Sequence, residues 1–133
     1  MLIVDASCLY EVVADTPAAE PIRQRLSLDD EHAAPHVIDV EVLGVVRRHL
    51  ATGRLEAVAA TQAIDDLHLW PGERVGHRSL LDRMWELRSS VRPADAAYVA
   101  LAEAFEATLL TTDARLANAS GPQCKIEVFQ PST

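Results

Sequence analysis

The sequence predicts an α/β fold, a central parallel sheet of short strands flanked by helices on both faces. Three observations carry that expectation. Leu2, Ile3 and Val4 form an apolar run with no polar alternation, the pattern of a strand buried on both faces of a sheet. The run stops on Asp5, and the pattern returns late in the chain, where Thr108-Leu109-Leu110-Thr111-Thr112 leads to Asp113. Between the two, helical segments alternate with short strands, which calls for crossover connections and hence a parallel sheet.

Taken in order, the chain reads as follows. Ser7 to Ala14 is a short helix, with Asp5 or Ser7 placed to cap it. Thr16 caps a second helix that has Pro17 at its first position and runs to about Leu28. Asp29-Asp30-Glu31-His32 is a charged turn, and Ala33-Ala34-Pro35 a short strand ended by its proline. His32 and His36 are four residues apart, but Pro35 between them argues against a shared helical face, and they read as structural rather than as metal ligands. The segment from His36 to Leu50 is apolar nearly all round (Val37, Ile38, Val40, Val42, Leu43, Val45, Val46), so a buried helix is expected. Thr52-Gly53 stops it. Leu55 to Trp70 is an amphipathic helix ended by Pro71-Gly72, Glu73 to His77 a short edge strand, and Ser79 to Arg88 another helix. Pro93 opens a long helix to about Ala107, leaving Asp95 in its first turn. Arg115-Leu116-Ala117 is a short helix, Ile126 to Phe129 the last strand, and Gln130 to Thr133 a frayed tail.

At 133 residues the chain is expected to be a single domain, 1–133, that buries about two-thirds of its unfolded surface. No apolar stretch is long enough to span a bilayer and no basic leader precedes the first strand, so a cytoplasmic location is expected. Cys8 and Cys124 have neither metal nor disulfide spacing and read as packing residues. The net charge of -8 argues against a broad, non-specific nucleic-acid binder. One stretch is locally basic: Arg74, Arg78, Arg83, Arg88 and Arg92 stand against Glu73, Asp82 and Glu86. Helical pairs such as Arg78 with Asp82 account for part of it. It is still where a polyanion would approach, with Arg74 and Arg78 as candidate contacts to it.

The chemistry lies in the acids. Ligands of open α/β sheets bind beyond the carboxyl ends of the strands, where Asp5 and Asp113 fall. Asp95 stands at a helix mouth. Glu41 is the acid that folding explains least, since its helical neighbours Val37, Ile38, Gly44 and Val45 offer no partner. A buried carboxylate needs a counter-charge, a raised pKa or a metal, and Arg48, two turns on, is the alternative partner. Asp39, near the helix start, reads as structural. Carboxylate-only ligation suits Mg²⁺ or Mn²⁺, and such sites serve phosphoryl transfer. Ser7 and Thr112, each beside an acid, are placed to orient a carboxylate or a water.

Four segments together resemble a PIN domain of the VapC toxin type: Ile3-Val4-Asp5-Ala6-Ser7, Asp39-Val40-Glu41-Val42, the helix from Pro93 to Ala102, and Leu110-Thr111-Thr112-Asp113-Ala114-Arg115-Leu116. They occur in the family's order across the whole chain. The resemblance implies a metal-dependent endoribonuclease, the toxin of a type II toxin–antitoxin pair, with Asp5, Glu41, Asp95 and Asp113 as both metal ligands and catalytic residues, Mg²⁺ as cofactor and Mn²⁺ able to substitute. It also implies a homodimer neutralised by a small antitoxin of the VapB type. Gly44 departs from the larger residue that members often carry one turn after the glutamate. Rival readings are a degenerate PIN module that binds RNA or antitoxin with little catalysis, and a haloacid-dehalogenase-type phosphatase. The phosphatase needs a second aspartate two residues after the first, where this chain has Ser7. A receiver-type domain needs a lysine ending the last strand, whereas Lys125 precedes it.

Overall fold

A computed structural model describes residues 1–130. The expected frayed tail therefore lies, beyond Gln130, outside the described residues. Five parallel strands, β1 (Leu2–Val4), β2 (His32–Pro35), β3 (Glu73–Val75), β4 (Thr108–Thr111) and β5 (Ile126–Val128), form one sheet in the order β3-β2-β1-β4-β5. The most apolar strands, β1 and β4, take the sheet's interior, and β3 and β5, which carry charged residues, take its edges.

The helices are α1 (Ala6–Val13), α2 (Ala19–Leu26), α3 (Val37–Ala51), α4 (Ala57–Leu69), α5 (Leu81–Glu86), α6 (Pro93–Ala104) and α7 (Ala114–Ala117). The chain steps outward from β1 to β2 to β3 and then crosses back to β4 and β5. Right-handed crossovers thus set α1 to α4 on one face of the sheet and α5 to α7 on the other. The packing agrees: α1 meets α2, α3 and α4, whereas α6 lies across β1, β2 and β4 and carries α5. The direction of winding changes between β1 and β4. The crevice beyond their carboxyl ends is the switch point at which this architecture binds ligands.

Several expectations are corrected. Helix α2 opens at Ala19, because Thr16 and Pro17 are used in a preceding turn in which the Thr16 hydroxyl accepts from the Ala18 amide. Helix α3 is not buried all round. Ile38, Val42 and Val46 form the buried stripe, spaced at four residues, while Val40 and Leu43 are 70% and 49% exposed. The segment after β3 enters through a 3₁₀ turn at Arg78–Leu80, and the α-helix proper is only Leu81–Glu86. The Arg78–Asp82 pair does not form. Arg83 is the ion-paired residue there, bonding Glu103 at 2.6 Å and Glu86 at 3.4 Å. No helix among the described residues is long and apolar enough to cross a membrane.

Two braces fix the sheet edges. Arg25 of α2 reaches β5, with Nε 2.5 Å from Glu127 and Nη1 2.9 Å from Asp29, and these pairings hold both carboxyls below their ordinary range. At the other edge Arg74 of β3 bonds Asp39 at 2.9 Å and the carbonyls of Leu67, Trp70 and Gly72. The Trp70 ring lies over Gly72, where a Cβ would come within 2.2 Å of it, so only glycine fits beneath the indole.

Candidate active site

Asp5 follows β1 directly and is 7% exposed. Continuing the register of Val4 opposite Leu110 by one residue sets Asp5 opposite Thr111, at the switch point. Two hydroxyls meet it there: Ser7 Oγ donates to Asp5 Oδ2 at 2.6 Å, and the wholly buried Thr111 Oγ1 donates to the same oxygen at 2.8 Å. Among the described residues Oδ1 receives no side-chain bond. Ser7 Oγ also accepts the Thr112 amide at 3.1 Å, and Thr111 Oγ1 accepts the Asp113 amide at 3.1 Å. The ends of β1 and β4 are thereby tied into one polar network.

Helix α6 supplies the opposing wall. Its first turn presents Asp95, and Tyr98, one turn on, donates its hydroxyl to Glu41 Oε1 of α3 at 2.7 Å. Glu41 is therefore partnered by a phenol. Arg48, the alternative, is exposed and makes no pair with it. Burial pushes the Asp5 carboxyl above its ordinary range, against the lowering effect of Ser7 and Thr111, and the charge of Asp95 pushes the same way. Glu41 is raised as well, first by burial and then by the charges of Asp5 and Asp95, although the Tyr98 bond opposes this. Asp5, just beyond β1, thus feels the charge of Asp95, and Glu41 of α3 feels the charges of both. Burial beside two of them drives the Tyr98 phenol far up, so it stays a donor.

Asp113 caps α7, accepting the Arg115 amide at 2.9 Å. It lines a cleft of about 220 Å³ together with Asp95, Val91 and Leu116, with Arg92 and Arg115 at its rim. Each arginine reaches one wall acid: Arg92 is 3.2 Å from Asp95 and Arg115 is 3.4 Å from Asp113. Asp113 shares the cleft with Asp95 but does not figure among the charges acting on Asp5 or Glu41.

Other sequence readings are corrected. Thr111, not Thr112, is the threonine that bonds an acid; Thr112 contributes its backbone amide. The missed signal was pairing register, since matching the ends of β1 and β4 brings position 111 opposite position 5. Tyr98 was legible as the residue three after Asp95 on one helix face. Arg74 is spent on Asp39 and three carbonyls, with 21% of its side chain exposed, and is a brace rather than a phosphate contact. Arg78 is exposed. His32 bonds the Leu26 carbonyl, and the Val37 amide donates to His77, whose ring packs edge-on against that of His36.

A hard cation fits the donor set. The acids are all-oxygen donors, and Asp5 has an oxygen free of side-chain bonds. The electrostatic strain on Asp5 and Glu41 is what a positive charge would relieve. Among the described residues no three acidic, histidine or cysteine side chains are gathered tightly enough to enclose an ion.

Comparison with known proteins agrees with the fold. The family model of the PIN domain matches residues 2–122. The chain is 34% identical to Ribonuclease VapC12 of Mycobacterium tuberculosis over 128 residues, covering 96% of this chain and 98% of that protein. It is 35% identical to Ribonuclease VapC1 of the same organism, over 96% and 97% of the two chains. Among solved structures, a chain of VapBC2 from Rickettsia felis, crystallised with a DNA fragment from its promoter, superposes with a TM-score of 0.69 at 14% identity, covering 97% of this chain and 98% of that one.

Proposed function

The chain belongs to the PIN-domain family, with VapC ribonucleases as full-length relatives, and from that premise we propose that it is a metal-dependent endoribonuclease, the toxin of a toxin–antitoxin pair. One observation supports the reading of the site: the charge of Asp95 bears on Asp5, and the charges of Asp5 and Asp95 bear on Glu41, so that these two carboxyls from separate elements gain affinity for positive charge. Asp5, Glu41 and Asp95 would hold a Mg²⁺ ion that Mn²⁺ can replace, directly or through its waters, with Asp113 joining across the cleft. When bound, the cation supplies a water acidified for attack on phosphorus and neutralises charge at the scissile phosphate. The protein's own groups do the positioning. Ser7 and Thr111 hold Asp5 Oδ2 and so leave Oδ1 presented, while Tyr98 fixes the rotamer of Glu41 by holding Oε1. Arg92 and Arg115 shield Asp95 and Asp113 and are free to turn toward substrate phosphates, being 76% and 87% exposed.

The partners follow the same reading: RNA as substrate, a small antitoxin of the VapB type, and a second copy of the chain. The exposed Leu43 and Leu50 of α3, which line one largely apolar surface hollow with Ala60 and Ile64 of α4, support a protein partner, since an apolar patch of this kind marks an interaction surface. The decisive experiment incubates purified protein, freed of antitoxin, with RNA in EDTA and in Mg²⁺. Cleavage should appear only with metal and fall to background in both Asp5→Asn and Asp95→Asn. Cleavage that persists in EDTA, or in either variant, defeats the assignment.

A further inference from the structure

The ion-paired arginines divide by how tightly they are held. Arg25, Arg74 and Arg83 bond an acid at 2.5, 2.9 and 2.6 Å and leave 23%, 21% and 28% of the side chain exposed, as braces do. Arg92 and Arg115 are held otherwise. Each guanidinium has one acid as its only bonded partner among the described residues, Asp95 Oδ2 at 3.2 Å and Asp113 Oδ1 at 3.4 Å. An exposed pair of this kind is worth about fivefold in an equilibrium at most, so either guanidinium can change partner at little cost. Arg23 is also loosely paired, but its acids, Asp15 and Glu20, lie outside the cleft. The two arginines at the rim are thus the ones whose counter-charges are the cleft acids. Arg92 also bears on Glu41, where its charge opposes the burial that raises the carboxyl.

We infer that Arg92 and Arg115 are counter-ions parked on Asp95 and Asp113 until a divalent cation takes those acids, whereupon the freed guanidiniums grip phosphates of the substrate strand, so that metal and strand bind with positive linkage. This rests on the metal-dependent ribonuclease reading for its two ligands but not on catalysis for its test. The physical reason is the charge left beside each arginine. With the acids bare, a phosphate drawn to either guanidinium must also face the carboxylate it displaces, a like charge. With a cation on the acids that repulsion is gone, and the planar guanidinium can pair bidentately with the phosphate. A cation seated on the other carboxylate oxygens, with the arginines left in place, would create no such linkage.

The test follows a single-stranded oligodeoxythymidylate, which carries the same phosphates without the 2′-hydroxyl and whose length is checked after each titration. Its affinity is measured against salt for the parent and for the double variant Arg92→Gln with Arg115→Gln, in EDTA and in saturating Mn²⁺. In Mn²⁺ the parent's log–log salt slope should be steeper than the variant's by about 1.4, at about 0.7 for each arginine on a phosphate of a single strand, and in EDTA the two slopes should nearly coincide. Without nucleic acid, free Mn²⁺ read by its paramagnetic resonance should show each single variant binding the ion more tightly than the parent, by up to about fivefold, since the competing guanidinium is gone. Arg88→Gln, which removes the same charge from an exposed position outside the cleft, should leave the Mn²⁺ affinity as it was. Slopes that differ equally in EDTA and in Mn²⁺, or that differ in neither, overturn the inference. So does a Mn²⁺ affinity that is unchanged in either rim variant, or raised as much by Arg88→Gln. The outcomes separate from the catalytic reading: a Mn²⁺-dependent slope difference without RNA cleavage sinks the nuclease and keeps the linkage, and cleavage with a Mn²⁺-independent slope difference does the reverse.

Discussion

Replacing Glu41 by Gln tests whether this acid belongs to a cation site or only to the fold. The amide keeps the shape and an oxygen for the Tyr98 hydroxyl, so the 2.7 Å bond survives in neutral form. Losing the charge assistance costs about 1 kcal/mol. Against that, the variant no longer buries a charge beside Asp5 and Asp95. The Glu41 carboxyl stands above its ordinary range despite the Tyr98 bond, so the opposing effects exceed what the bond supplies. In EDTA near pH 7.5 the variant should therefore melt no lower than the parent, and a gain of 1 kcal/mol would raise the melting temperature by about 4 °C in a chain of this size. The advantage must depend on pH. Below pH 4.5, the carboxyl's ordinary value, Glu41 is protonated in both folded and unfolded chains, and the two proteins should melt alike. As pH rises through the higher folded pKa, the parent alone loses stability and the gap opens. Mg²⁺ at a hundred times its dissociation constant stabilises the parent by about 2.7 kcal/mol, or about 10 °C, and the variant should gain clearly less. Melts of both proteins in EDTA and in Mg²⁺, from pH 4 to 8, would refute the reasoning if the variant melted well below the parent in EDTA while keeping the full metal response.

Two further substitutions probe the corrected roles. Arg74→Gln removes the brace between Asp39 and three carbonyls, so it should cost roughly 2–3 kcal/mol of stability in thermal melts and leave the salt slope of RNA binding unchanged; a flattened slope with a native melt would restore Arg74 as a phosphate contact. Ser7→Ala and Thr111→Val each delete a bond that lowers the Asp5 pKa, so the carboxyl should ionise at higher pH and the acid limb of the pH–rate profile with Mg²⁺ should move upward. A limb that stays in place in both folded variants would show that Asp5 ionisation does not limit the reaction.

What the sequence disclosed and what it withheld follow from the range of each interaction. Element types and their order were legible because they rest on local periodicity and on punctuation by Pro93, Pro71-Gly72 and Gly53, which act within one turn of chain. The boundaries that slipped, at Thr16-Pro17 and before Leu81, are those where a short turn competes with the first turn of a helix and tertiary packing decides. The burial of α3 was overread because composition counts apolar residues without saying which stripe finds a partner. Ile38, Val42 and Val46 do so fully and Val37 and Val45 in part, and the surplus on the far side, Val40, Leu43 and Leu50, is what a partner protein would be expected to use.

The site divides along the same line. Asp5, Asp95 and Asp113 were visible because each sits where a local element ends, and ends of parallel strands are where this fold exposes chemistry. Their partners were not, because every one is set by pairing between distant segments: Thr111 by the register of β4 on β1, Tyr98 by the packing of α6 against α3, and the Arg74 brace by the closeness of β3 to α3. Glu41 joins the two cases. Sequence showed only a carboxylate without a local excuse, and the packing of α6 against α3 turned that absence into a role. With a buried phenol on one oxygen and the charges of two aspartates bearing on it, its ionised form is held at a cost to the metal-free fold that a cation would offset. The instability of the empty site and its affinity for metal are then one property, which is why a single substitution at position 41 should change both.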